Sequence, residues 1–280
     1  MNLNITDKTY KKLTMQVSLN GMSFCVFDAL SKQPLVIENI HFEQFQRNIS
    51  IEELFEKVFS DHATLNDSFD EIVVIHNNNL STFVPVALFD NDFIGSYLQY
   101  NTKVFETDFF TYDELPNYEM NNVYIPYVNM NNFFIDKFGS FEYKHASSIL
   151  VTKLLDVTKN TEDRKMFVHV NKGHFELIVA QNQKLIFYNS FDYKTPEDFI
   201  YFILFTAEQL QLNPENFKLE LLGAISEDDA LFKIAFKYIR HTQLFAFEND
   251  FNNLDLTTQR EHFILLNSWE SFLENSKEDA

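Results

Sequence analysis

The residues able to do chemistry gather around one short stretch, Phe167 to Val179, which reads FVHVNKGHFELIV. Two alternating runs flank Asn171-Lys172-Gly173, the pattern of two strands joined by a tight turn. His169 and His174 flank the turn, and Glu176 follows on the strand face of His174. Imidazole and carboxylate ligate metals, but His174 and Glu176 alone make a weak pattern. Solvated hairpin histidines are the expectation. Lys172 is placed to touch a phosphate, although a solvated turn lysine is the simpler reading.

Elsewhere the candidates thin out. Cys25 is the only cysteine, so an intrachain disulfide and a Cys-based zinc site are excluded. It lies in the strand-like MSFCVFD, where a buried inert thiol is expected. Ser18, Ser147 and Ser148 lack the Gly-x-Ser-x-Gly elbow of a hydrolase. No P-loop and no dinucleotide fingerprint occur. Carboxylates are too many for their spacing to discriminate: 41 Asp+Glu stand against 22 Lys+Arg, a formal −19. That charge disfavours binding to nucleic acid or to anionic lipid. The start of the chain lacks an apolar core, and the longest apolar run, FIYFILFTA, is about half a membrane span. A cytoplasmic protein without membrane insertion is the expectation.

The elements that must position these residues repeat twice. KLTMQVSLNGMSFCVFDAL alternates on both sides of Asn20-Gly21, which reads as a type I′ hairpin turn. A third strand follows over Pro34–Phe42, then a helix with Ser50 and Glu53 as a capping box. DEIVVIHN and STFVPVALFD read as strands, with a short helix over Asp92–Tyr100 after them. Strands are expected near Val104–Tyr112 and Val123–Pro126, and helices over VNMNNFFIDKFG and HASSILVTKLL. After about Thr158 the opening pattern recurs. Three strands precede a helix capped by Thr195 with Pro196 in its first turn, then the strand NFKLELLGA. A helix capped by Ser226 and late strands at TQLFAFE and HFILL complete the chain. Two halves are expected, 1–142 and 143–280, each a mixed five-stranded sheet flanked by helices and facing the other across a cleft.

This order of elements resembles the actin-like ATPase superfamily, whose halves are ribonuclease-H-like. Within it, DEIVVIHNNNLSTFVPVALFD, VYIPYVNMNNFFIDKFG, HASSILVTKLL and FVHVNKGHFELIVAQNQKLIFYNSF are similar to stretches of the pilus-assembly actin-like proteins. The chain also looks like a bacterial family of unknown function with this fold. The resemblance implies an acidic Asp-x-Gly turn in the first hairpin of each half, where backbone N–H groups hold phosphates and the acids position Mg²⁺. It further implies a Gly-Gly turn where adenosine packs. Here the two acid positions hold Leu19 and Asn171, and the third turn reads Gly223-Ala224.

A degenerate, non-catalytic interaction or scaffold protein is therefore expected, with no catalytic residue, no metal and no cofactor, and with a protein as its partner. The alternative is nucleotide binding with lost or slow hydrolysis, with ATP and Mg²⁺ held by Asn20, Gly21, Asn171, Lys172, Gly173, Gly223 and Ala224. The acidic, aromatic stretch over 105–127 supplies the candidate partner surface. Phe109, Phe110, Tyr112 and Tyr118 lie there among Asp108, Asp113, Glu114 and Glu119.

Overall fold

The structure, a computed structural model, describes residues 10–42, 49–100, 102–105, 107–247, 251 and 253–268. The alternation at the start of the chain becomes an antiparallel meander of β1 (Lys11–Ser18), β2 (Gly21–Asp28) and β3 (Pro34–His41). Ser50 caps α1 (Ile51–Asp61) by accepting from the Glu53 N–H, which satisfies one of the orphan donors of the first turn. β4 (Glu71–His76) then runs parallel to β1.

An inserted lobe follows, built on β5 (Ser81–Pro85), β6 (Thr111–Leu115) and β7 (Met120–Tyr124) as an antiparallel sheet in the order β5-β7-β6. α2 (Val128–Phe138) leads back to β8 (Glu142–His145), which closes the first sheet as β3-β2-β1-β4-β8. That sheet thus continues to His145, three residues beyond the expected boundary at 142/143. α3 (Ala146–Val157) crosses to the second half.

The second half repeats the topology with β9 (Lys165–Asn171), β10 (His174–Gln181), β11 (Lys184–Asp192), α4 (Pro196–Gln209), β12 (Lys218–Gly223), α5 (Ala230–Tyr238) and β13 (His241–Leu244). Its order, β11-β10-β9-β12-β13, is that of the first sheet strand for strand. Thr195 and Asp198 form a complete capping box on α4. α6 (Leu256–Glu261) and α7 (Phe263–Asn267) end the described chain.

Four hydrophobic cores hold this together, one of them, around Val84, Leu98, Val123 and Ile125, inside the inserted lobe. Phe55, Phe59, Met130 and Phe134 of α1 and α2 cover the outer face of the first sheet. Phe199, Ile203 and Ala235 of α4 and α5 cover the outer face of the second. Between the halves, α3 and α7 fill one shared core with Phe27 and Ile75 on one side and Phe167 and Ile178 on the other. Each large apolar side chain so buried contributes about 1.5–3 kcal/mol.

Several sequence expectations are corrected. HFILL is not a strand. Phe263 to Leu266 are all buried, so the segment shows no periodicity, and it folds as α7. No strand covers the described residues from Val104 to Phe110, and β6 starts at Thr111. The short helix after β5 is a 3₁₀ segment over Asn91–Tyr97. Asp229, not Ser226, sits at the N-cap of α5, and the Ser226 hydroxyl donates to its carboxylate. Asn20-Gly21 is not a type I′ turn, because neither residue has a positive φ. Ser18 pairs with Gly21, leaving Leu19 and Asn20 as the loop.

Glycine serves a different need at each of the three motif turns. A Cβ at Gly21 would lie 2.3 Å from the Ile40 carbonyl oxygen, so packing against β3 demands it. Gly173 has φ +83° with open space around it. Gly223 combines both constraints, with φ +89° and a Cβ position 2.3 Å from the Val170 oxygen. Gly173→Ala is expected to cost about 1–2 kcal/mol, the left-handed strain alone. Gly223→Ala is expected to cost about 2–5 kcal/mol, since backbone overlap adds to strain. Chemical denaturation of the two variants checks the order.

Candidate functional site

The second hairpin brings its chemical residues together. β9 and β10 pair His169 directly with Glu176. His169 Nδ1 donates to Glu176 Oε2 at 2.9 Å, and Asn171 Nδ2 donates to the same oxygen at 3.0 Å. His174 Nε2 lies 3.5 Å from Glu176 Oε1. The expectation of solvated histidines is overturned: His169 is buried and His174 is half-buried, because this face turns towards the core between the halves. Burial alone would raise the Glu176 carboxyl, but hydrogen bonds from His169 and His174 outweigh it and hold the group at about 2. Burial works against protonation of His174, yet the Glu176 carboxylate raises it above the ordinary imidazole value. Glu176 is thus a buried anion whose neighbours are committed to it. Lys172 stands exposed in the turn.

The first hairpin offers less. Leu19, where the resemblance implies an acid, is exposed, and the Asn20 N–H is taken by Ser18 Oγ. Tyr127, leading into α2, donates its hydroxyl to the Asn77 carbonyl at 3.5 Å. At the third turn, Gly223 is buried and the Ala224 N–H donates to the Val170 carbonyl at 2.8 Å. The motif turns therefore keep their shape while their backbone donors at Asn20 and Ala224 serve the fold.

Sequence reasoning missed the polar cluster between these turns. Asp113, expected among surface acids, is buried. Tyr124 OH donates to its Oδ1 at 3.0 Å, the His145 N–H donates to Oδ2 at 2.8 Å, and Ser148 Oγ donates to Oδ2 as well. Burial pushes this carboxyl up to about 6 against the pull of those donors. Asn122 Nδ2 donates to Ser147 and Ser148 at 2.9 and 2.8 Å. The one available signal was alternation, since in TYDEL Asp113 shares a face with the buried Leu115.

Two histidines at strand ends join this cluster, and their partners fix their protonation. His145 Nδ1 accepts from the Ser147 N–H at 3.1 Å and lies 2.7 Å from Ser147 Oγ, while Nε2 donates to Asn78 Oδ1 at 3.2 Å. His76 Nδ1 accepts from the Tyr127 N–H at 3.3 Å and Nε2 donates to Asn131 Oδ1 at 2.9 Å. Each ring therefore carries its proton on Nε2 and is neutral. Burial lowers His76 to about 4 and His145 to about 3.

The expected partner residues divide. Phe109 is exposed. Phe110 and Tyr112 pack into the core of the inserted lobe, with Tyr112 4.6 Å from Phe89. Tyr118 packs towards α3, where its hydroxyl donates to Asp156. Tyr118 also lines a groove of about 580 Å³ between β5 and β11. Tyr188 of β11 also lines it, with its ring centroid 4.9 Å from that of Phe83. Among the described residues no group of three or more His, Cys, Asp or Glu side chains is arranged to hold a metal.

These contacts generate two expectations. His76 and His145 titrate lower in the folded state than the ordinary 6.5, so their stability contribution is complete above 6.5. It is lost as pH falls towards about 4 and about 3. The melting temperature is therefore expected to fall between pH 7 and pH 5, and His76→Gln is expected to flatten that slope in calorimetry. Phe109→Ser is expected to leave stability within about 0.5 kcal/mol. Phe110→Ser is expected to lower it by about 1–3 kcal/mol in urea titrations, since its ring packs against the lobe core.

Comparison with known proteins places this geometry. No curated protein matches the chain. A Bacteroides thetaiotaomicron protein with an actin-like ATPase fold and unknown function superposes with a TM-score of 0.78 at 18% identity, covering 95% of this chain and 99% of that one. PilM in the PilM–PilN type IV pilus biogenesis complex gives 0.55 at 9% identity, covering 92% and 97%. The ethanolamine utilization protein EutJ from Carboxydothermus hydrogenoformans gives 0.51 at 7% identity, covering 94% and 90%. Those likenesses establish the two-lobed actin-like ATPase fold. Residues 1–242 match the model of DUF3822, a family of proteins of unknown function, and the chain belongs to that family.

Proposed function

We propose that this chain is a non-catalytic interaction protein of the cytoplasm, built on an actin-like fold whose phosphate turns no longer serve a nucleotide. The observation that carries this reading is Glu176. Where the superfamily would face a polyphosphate, the second hairpin presents a buried carboxylate with His169, Asn171 and His174 bound to it. A second anion there would be repelled across a poorly screened interior. The exposed Leu19 in the first hairpin supports the same reading. For the interaction itself, α4 and α5 carry exposed aromatics: Tyr201 stacks on Phe205, and Phe236 stacks on Phe232. Exposed apolar surface of this kind marks docking sites. PilM, which shares the fold, is found in a complex with PilN. No described helix is long and apolar enough to cross a membrane.

Thermal melting with and without Mg-ATP tests the proposal against nucleotide binding. A nucleotide at one hundred times its dissociation constant would stabilise by about 2.7 kcal/mol. That is a shift of about 5 °C or more for a chain of this size. No shift at millimolar Mg-ATP is expected, and a clear one would overturn the proposal in favour of a nucleotide held by the three turns. Glu176→Gln is expected to lower stability by about 1–3 kcal/mol near pH 6, because His169 and His174 lose a charged partner. Denaturant midpoints measure this.

A further inference from the structure

We propose that the groove between β5 and β11 takes up an extended segment of a partner protein as an added strand along β11, a reading that rests on the interaction function above. Both strands are outer strands of their sheets, so each has one side whose backbone groups no strand of its own sheet pairs. They wall the same groove. Lys184 to Ser190 line one side without a break, and Ser81, Thr82, Phe83 and Pro85 line the other.

The outer strands differ in how they are protected. β8 and β13 have four residues each. β3 has eight, but Pro34 opens it and Glu38 sits within it, paired with His62 at 2.6 Å. β11 has nine, and between Lys184 and Asp192 it reads LIFYNSF, without a charge or a proline. A long uncharged edge is what folded proteins normally guard or cover. β5 ends in Pro85, which cannot donate to a ladder, so the added strand belongs on β11.

The groove also selects its occupant. The Phe83 and Tyr188 rings pack edge to face at the base of the groove, centroids 4.9 Å apart, and the wall formed by β5 blocks the edge of another folded sheet. A second copy of this chain offering its own β11 is thereby excluded, whereas a single extended chain fits. Seven lining residues span about 23 Å of strand. Leu185, Ile186, Phe187 and Tyr188 form an apolar run followed by Asn189 and Ser190, so the segment should be apolar along most of its length with a polar group at one end. The −19 charge of the chain favours Lys or Arg at its ends.

Random octapeptides displayed on phage and panned on the full chain provide the probe, with enriched sequences synthesised and titrated by fluorescence anisotropy. The expected clones carry an apolar run with a polar group at one end, lack interior proline, end in basic residues and bind more weakly as salt rises. Methylating alternate backbone amides should weaken them at least tenfold, because strand addition uses those donors. Ile186→Lys combined with Asn189→Lys, both at exposed positions, should abolish binding without shifting the melt. If that variant melts early, protection of the β11 amides by bound peptide in the unaltered chain, read by hydrogen exchange, decides instead. Enrichment of no clone, clones indifferent to methylation, or absent β11 protection would overturn the groove. Clones that bind the double-lysine variant equally would also overturn it while leaving the interaction reading intact, which only the Mg-ATP melt can sink.

Discussion

The buried carboxylate of Asp113 is the constraint on which the arrangement of the lobes depends. It is carried by β6 of the inserted lobe, and it accepts from the last residue of β8 and from the first turn of α3. One charge thus ties the lobe, the edge of the first sheet and the central helix to one another. A charge so placed is tolerated because the start of a helix carries unpaired N–H groups and a positive end. Tyr124 donates to the other carboxylate oxygen. Removing any one donor would leave an ion in the interior with too few partners, which is far more costly than losing a surface pair.

The two halves have the same strand order but have diverged in their hairpins. In the first, Leu19 is simply exposed, and the neighbouring polar residues have drawn together at the strand ends around His76 and His145. In the second, the polar residues remain on the hairpin itself and satisfy one another around Glu176. Both outcomes leave few free donors facing the space between the halves. Gly21 and Gly223 are required by neighbouring backbone, Ile40 and Val170, whether or not a ligand is held there.

Much of the fold was legible because half-buried strands and amphipathic helices write their geometry locally. The alternation of Lys11–Ser18 and Gly21–Asp28, the Thr195 cap and the apolar face of α1 each needed only neighbours in sequence. What could not be read depended on distant contacts. Asp113 looks like a surface acid until α3, more than thirty residues later, presents its first turn. HFILL has no period because α7 is buried on all sides. The Asn20-Gly21 turn was misjudged because β3, not the turn, requires the glycine. The aromatic stretch near Phe109 mixed exposed and core rings that composition alone does not separate.

The shared core has a consequence for motion. α3 and α7 are wedged between the sheets, and the described chain ends with Ser268 donating to Thr14 of the first strand. This contact lies in the buried layer between the sheets, so the end of α7 is tied to the middle of the first strand. Clamping proteins keep the junction of their halves lightly packed so that a ligand can rotate one body against the other. Here any rotation must shear a continuous apolar interior, and interiors resist graded deformation. The angle between the halves is set by packing, so a partner meets a surface whose shape is ready before it arrives.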